Sequence, residues 1–159
     1  MKLLSWSVYH LLELAAYRGL AAPPGAIPAA SPDPYAVRRA TGVRGETFAY
    51  WYLRRHGYTI IARNFKIPGI KGEIDLIGYD GSVLAFVEVK TRAGSSGVQA
   101  LPEDAVNADK RRHLSRMARQ FLAERRISEA RCRFDVVAIE AHPGRRPDVR
   151  LHKGAFAYR

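Results

Sequence analysis

The chain's 159 residues are enough for one domain with a sizeable core and too few for two ordinary ones. Its 26 Lys and Arg outnumber 15 Asp and Glu, and the resulting net charge of +11 fits a polyanionic partner, either nucleic acid or an acidic lipid surface, without choosing between them. Cys132 is the one cysteine, which excludes an internal disulfide and a Cys-rich zinc site and fits a reducing, cytoplasmic compartment.

In the first 35 residues, Leu4, Val8, Leu11, Leu12 and Ala15 recur at helical spacing, with Ser5, His10, Glu13 and Arg18 between them. That spacing predicts an amphipathic helix. His10, Glu13 and Arg18 interrupt the apolar run, which argues against export and against a membrane span. A surface contact of residues 1–22 with a membrane stays open. Pro23, Pro24, Pro28, Pro32 and Pro34 follow as a stiff linker. Residues 1–35 therefore read as a loosely ordered extension and residues 36–159 as the folded domain.

A helix is expected from about Val43 to His56, stopped by Gly57 and ended by Arg54 and Arg55, where cations suit the helix dipole. Glu46, Tyr50 and Leu53 share one stripe, so Glu46 is either a first-turn dipole residue or a carboxylate turned towards the sheet. Tyr58 to Phe65 predicts a strand, and Pro68-Gly69 turns the chain into a hairpin over residues 72–90. With Asp80-Gly81 as the loop, Tyr79 faces Ser82, Asp75 faces Phe86, Glu73 faces Glu88 and Lys71 faces Lys90. Asp75, Glu88 and Lys90 then share one face. Residues 91–102 form a Gly/Ser-rich loop, a flap over a site or a tolerated insertion. A second helix runs from about Asp104 to Arg126 with Val106, Lys110, Leu114, Met117, Ala118, Phe121 and Leu122 inward. Strands are expected at 133–140, where Asp135 should pair with a nearby Arg, and at 149–156, the latter edge-like. This order predicts a mixed sheet flanked by helices, an α/β sandwich.

Ionised groups inside apolar strands cost several kcal/mol each unless paired or metal-bound, so the hairpin acids need an account. Two carboxylates and a lysine on one face, with a helical Glu available, have the oxygen donors that Mg²⁺ prefers. A bound divalent cation would polarise a phosphodiester and activate a water, and Lys90 could orient that water or stabilise developing charge. The alternative is an Asp-Lys-Glu network that only maintains the fold, and the residues alone leave both readings open.

Asp75 followed by Glu88-Val89-Lys90 resembles the Asp…Glu-x-Lys core of the PD-(D/E)-x-K nuclease superfamily. Arg44-Gly45-Glu46, Arg63-Asn64, Gly72-Glu73-Ile74-Asp75-Leu76-Ile77, Phe86-Val87-Glu88-Val89-Lys90-Thr91-Arg92, the Pro102…Ala105-Val106…Lys110 helix entry and Arg133-Phe134-Asp135-Val136-Val137 resemble the bacterial YraN-like family over about residues 40–158. That family is regarded as endonuclease-like and related in fold to archaeal Holliday junction resolvases. The resemblance implies a restriction endonuclease-like αβββαβ sandwich with a central mixed sheet flanked by helices. It also implies Mg²⁺ (or Mn²⁺) held by Asp75, Glu88 and Glu46, and Lys90 as the catalytic lysine. Arg63, Arg92, Lys110 and Arg111 would contact nucleic acid. Ile74 stands where the superfamily name has proline. The implied activity is metal-dependent hydrolysis of DNA, on branched or single-strand-containing structures. The same resemblance accommodates a DNA-binding accessory protein of uptake, recombination or repair with weak or no cleavage. Nucleases of this kind often pair to cut two strands, which leaves a homodimer open.

Overall fold

The structure, a computed structural model, describes residues 2–17, 34–93, 106–128, 131–142 and 146–157. Among the described residues, three helices, α1 (Lys2–Tyr17), α2 (Pro34–Arg55) and α3 (Ala108–Arg125), accompany five strands: β1 (Thr59–Phe65), β2 (Ile74–Asp80), β3 (Val83–Ala93), β4 (Cys132–Ala141) and β5 (Asp148–Phe156). The strands form one mixed sheet in the order β1-β2-β3-β4-β5, an α/β architecture compatible with the restriction endonuclease-like fold. The first three strands are an antiparallel meander, and α3 carries the chain from β3 to the neighbouring β4.

Two compact units divide the chain. The first comprises Met1–Gly57, Val89–Val98 and Val137–Arg150, and so holds α1, α2 and short stretches of three strands. Here α1 lies on α2 through Tyr9, whose buried ring meets Phe48 edge-on at 5.0 Å and lies 4.7 Å below the Arg55 guanidinium. Burial first, and then Glu13, push the Tyr9 phenol well above its ordinary range. Leu4, Trp6, Leu11 and Leu14 point outward from the same helix. The expected helix at Val43 begins instead at Pro34, because proline at a first helical position has its φ preset and needs no hydrogen-bond acceptor. The expected boundary at residue 36 therefore falls inside α2, whereas Pro23, Pro24, Pro28 and Pro32 lie outside the described residues.

The second unit comprises Tyr58–Glu88, Gln99–Val136 and Leu151–Arg159. Its core joins Ile77, Leu84 and Phe86 of the hairpin to Leu114, Met117, Ala118, Phe121 and Leu122 of α3 and to Phe134 and Val136 of β4. Phe121 meets both Phe65 and Phe86 edge-on, and Phe134 stacks on Phe156 at 4.6 Å. Ring pairs of this kind contribute roughly 0.5–1.5 kcal/mol each beyond the area they bury.

The hairpin register differs from the expected one. Leu76 pairs with Val87, Ile77 with Phe86, Tyr79 with Leu84 and Asp80 with Val83, so the two-residue turn is Gly81-Ser82. Gly81 takes a positive φ of 62°, the conformation that a Gly-first hairpin turn requires. Asp80 belongs to the ladder because Arg133 and Lys153 donate to its carboxylate at 2.5 and 2.6 Å. Every cross-strand partner moves by two residues, an even shift that keeps the alternation of faces. Leu76–Val87 is the last pair of the ladder; the same register carried one step further would set Asp75 opposite Glu88, where Phe86 was expected.

Two further boundaries shift. β3 continues to Ala93, so residues 91–93 are strand rather than loop, and the rest of the expected flap lies outside the described residues. Asn107 caps α3, its side chain accepting from the Lys110 amide at 2.9 Å, and the helix begins at Ala108 rather than near Asp104. At its other end, left-handed Arg126 closes the helix, with backbone bonds back to Ala123 and Leu122.

Candidate functional site

The open end of the hairpin carries the acids. Glu88 is 5% exposed and Asp75 is 9% exposed. Lys110 Nζ stands 3.3 Å from Glu88 Oε1, with a third of the lysine side chain still open to solvent. A cation in the first turn of a helix opposes the helix dipole, so Lys110 sits where α3 itself disfavours it and Glu88 favours it. Asp75 has a second acid beside it: carboxylate oxygens of Glu73 and Asp75 approach within 4.8 Å. Glu73 also pairs with the exposed Lys66 at 3.3 Å.

Lys66, Ile67, Pro68, Ile70, Gly72 and Glu73 line an open groove of about 480 Å³. Gly72 carries a φ of 93°, and a Cβ there would fall 2.9 Å from His113 Nε2. That ring nitrogen is buried, with no hydrogen-bond partner among the described residues. His113 escaped the sequence reading, although its place three residues after Lys110 puts both on one side of α3.

In the first unit, a Cβ on Gly45 would overlap the Thr91 hydroxyl, so α2 touches β3 at that point with only a hydrogen between them. Glu46 follows on α2, half-buried, and Lys90 precedes Thr91 on β3, also half-buried. Strand alternation puts Lys90 on the face of Glu88 and Thr91 on the other. Arg63 and Arg92 are exposed. Arg111 is tied to its own helix, its Nε donating to the Val106 carbonyl at 2.7 Å while its guanidinium lies 5.7 Å from the Phe156 ring centre. Lys110, expected on nucleic acid, lies beside Glu88.

The turn end carries a different set of charges. Asp135 is fully buried and accepts from Tyr58 Oη at 2.8 Å, Arg133 Nε at 2.9 Å and the Gly154 amide at 2.9 Å, which answers the expectation that it pairs with an arginine. Burial first, and then Asp135, push the Tyr58 phenol well above its ordinary range. Hydrogen bonds from Lys153 and then Arg133 hold the Asp80 carboxyl below the usual carboxylate range. Between β4 and β5, Glu140 accepts from Arg150 at 3.3 Å and His142 meets Asp148 at 2.9 Å.

Acids on neighbouring strands, Glu-x-Lys on the second of them and a mixed α/β sheet are compatible with a protein of restriction endonuclease-like architecture carrying a candidate acid-and-lysine site. Residues 45–139 match the family described as Uncharacterised protein family UPF0102. The chain belongs to that family, the YraN-like group. It is 45% identical over 117 residues to a UPF0102 protein of Koribacter versatilis, covering 73% of this chain and 78% of the relative. A UPF0102 protein of Symbiobacterium thermophilum is 47% identical over 120 residues, or 76% of this chain and 98% of the relative. One from Geobacter metallireducens is 42% identical over 118 residues, or 74% and 93%. No described helix is long and apolar enough to cross a membrane.

Proposed function

We propose that the chain is a metal-dependent nuclease that hydrolyses phosphodiester bonds in DNA, acting on branched or single-strand-containing structures. The observation that supports this reading is the burial of Asp75 and Glu88 on the two paired strands of one hairpin, with Lys90 two residues after Glu88. The donor set is all carboxylate oxygen, the chemistry that Mg²⁺ and Mn²⁺ take. Asp75 and Glu88 would hold the cation, with Glu46 as an additional ligand or a partner to its water. Once bound, the cation supplies Lewis acidity towards the phosphodiester and lowers the pKa of the attacking water. Lys90 orients that water and stabilises charge gathering on the phosphate oxygens. Arg63 and Arg92 bind the backbone of the polyanion, and salt weakens that binding steeply.

The test is cleavage of linear, nicked, flapped and four-way DNA with Mg²⁺ or Mn²⁺, for the wild type and Glu88→Ala. Metal-dependent cleavage that disappears in the variant while binding persists supports the reading; binding with no cleavage of any substrate sinks it. The Lys110–Glu88 ion pair favours a second reading, a DNA-binding accessory protein of uptake, recombination or repair, because the buried acid already has a counter-charge without metal.

A further inference from the structure

We infer that Lys110 is a resident counter-ion of Glu88, and that a divalent cation binding Glu88 through Oε1 must displace it. The inference rests on the metal-binding reading above and adds a positioning residue that sets metal affinity.

Three observations support it. Lys110 Nζ lies 3.3 Å from Glu88 Oε1, close enough to occupy the space on that oxygen which a cation would take. Glu88 is almost wholly buried, so its charge needs compensation whenever metal is absent. Lys110 sits at the third position of α3, its amide held by the Asn107 cap at 2.9 Å. There the helix dipole repels it, so Glu88 is what opposes its departure.

The lysine keeps a way out, because a third of its side chain is open to solvent and its four-carbon stem is flexible. A doubly charged cation at Glu88 repels the ammonium, which swings to water or to the phosphate of a bound polyanion. Lys110 therefore neutralises the acid while the site lacks metal, and competes with metal as it loads.

Calorimetric titration of MnCl₂ into the full-length protein tests this, with wild type, Lys110→Met, Lys110→Arg and Glu88→Gln at one pH and salt concentration. Removing the competing ammonium should tighten Mn²⁺ binding on the order of tenfold in Lys110→Met. Lys110→Arg keeps the charge, and its planar fork grips a carboxylate more firmly, so it should bind roughly as the wild type or several-fold more weakly. Glu88→Gln should lose the binding. Equal affinity in wild type and Lys110→Met, with binding lost in Glu88→Gln, overturns the counter-ion role and leaves the metal site standing. No Mn²⁺ heat in any variant overturns the metal site, and the inference with it. Should Lys110→Met fail to fold by circular dichroism, Lys110→Arg decides: tighter binding than wild type overturns the competition, and weaker binding upholds it.

Discussion

At the turn end of the β2–β3 hairpin, charges come in complementary groups: Asp135 takes bonds from Tyr58, Arg133 and Gly154, and Asp80 takes them from Arg133 and Lys153. At the open end the acids crowd one another. Glu73 approaches Asp75, and Glu88 lies buried on the paired strand. Gathering like charges raises the free energy of the folded chain unless something positive joins them, and here Lys66 meets Glu73 and Lys110 meets Glu88.

Breaking the turn end should have the largest effect on folding. Asp135→Ala strands a partly buried guanidinium and a buried phenol, and should cost about 3–5 kcal/mol in urea denaturation. Glu88→Gln should do the reverse, lowering stability by no more than about 1 kcal/mol because Lys110 can reach solvent. It should nevertheless reduce metal-dependent cleavage by at least about 100-fold, roughly 2.7 kcal/mol of barrier. If both variants unfold the protein equally, the contrast between the two ends is wrong.

Gly45→Ala tests packing away from both sets of charges. Helix propensity favours alanine by up to about 1 kcal/mol, but the overlap with Thr91 should outweigh it and leave a net loss of about 1–2 kcal/mol by thermal denaturation. A stabilised variant would mean that α2 and β3 have slack there.

Acid sharpens the turn end further. The Asp80 carboxyl is held below its ordinary value, so its contribution to stability is present above about pH 4 and is lost as pH falls through the folded-state value. Urea midpoints should drop between pH 5 and pH 2.5, and Asp80→Asn should flatten that dependence by at most about 1 kcal/mol. Smallest of all, Lys66→Ala removes an exposed partner of Glu73 and should change stability by less than about 0.5 kcal/mol, with no change in the urea slope.

What could be read from the chain followed the range of the interactions. Alternation within residues 72–90 and the stripe from Val106 to Leu122 are local patterns, and both survive in the structure. The turn was misplaced by one residue because Asp80 is drawn into the ladder by Arg133 and Lys153, which lie more than 50 residues away in sequence. Asn107 lacked the Glu three positions later that completes a capping box; Lys110 stands there, engaged with a distant strand. Pro34 looked like the end of a linker and proves to be the start of a helix. The strands that carry Asp75 and Glu88 were legible, whereas the Lys110–Glu88 pair and the Gly72–His113 approach needed the tertiary fold.

The crossing of Gly45 over Thr91 also fixes when conformational freedom is lost. Since α2 meets β3 at a spot with no room for a methyl group, Glu46 takes its position on the helix as the chain folds, before any ligand arrives. The backbone entropy of ordering that residue, about 1–2 kcal/mol, is therefore charged to folding rather than to the binding step. A ligand that uses Glu46 finds it already placed and keeps more of its interaction energy as affinity.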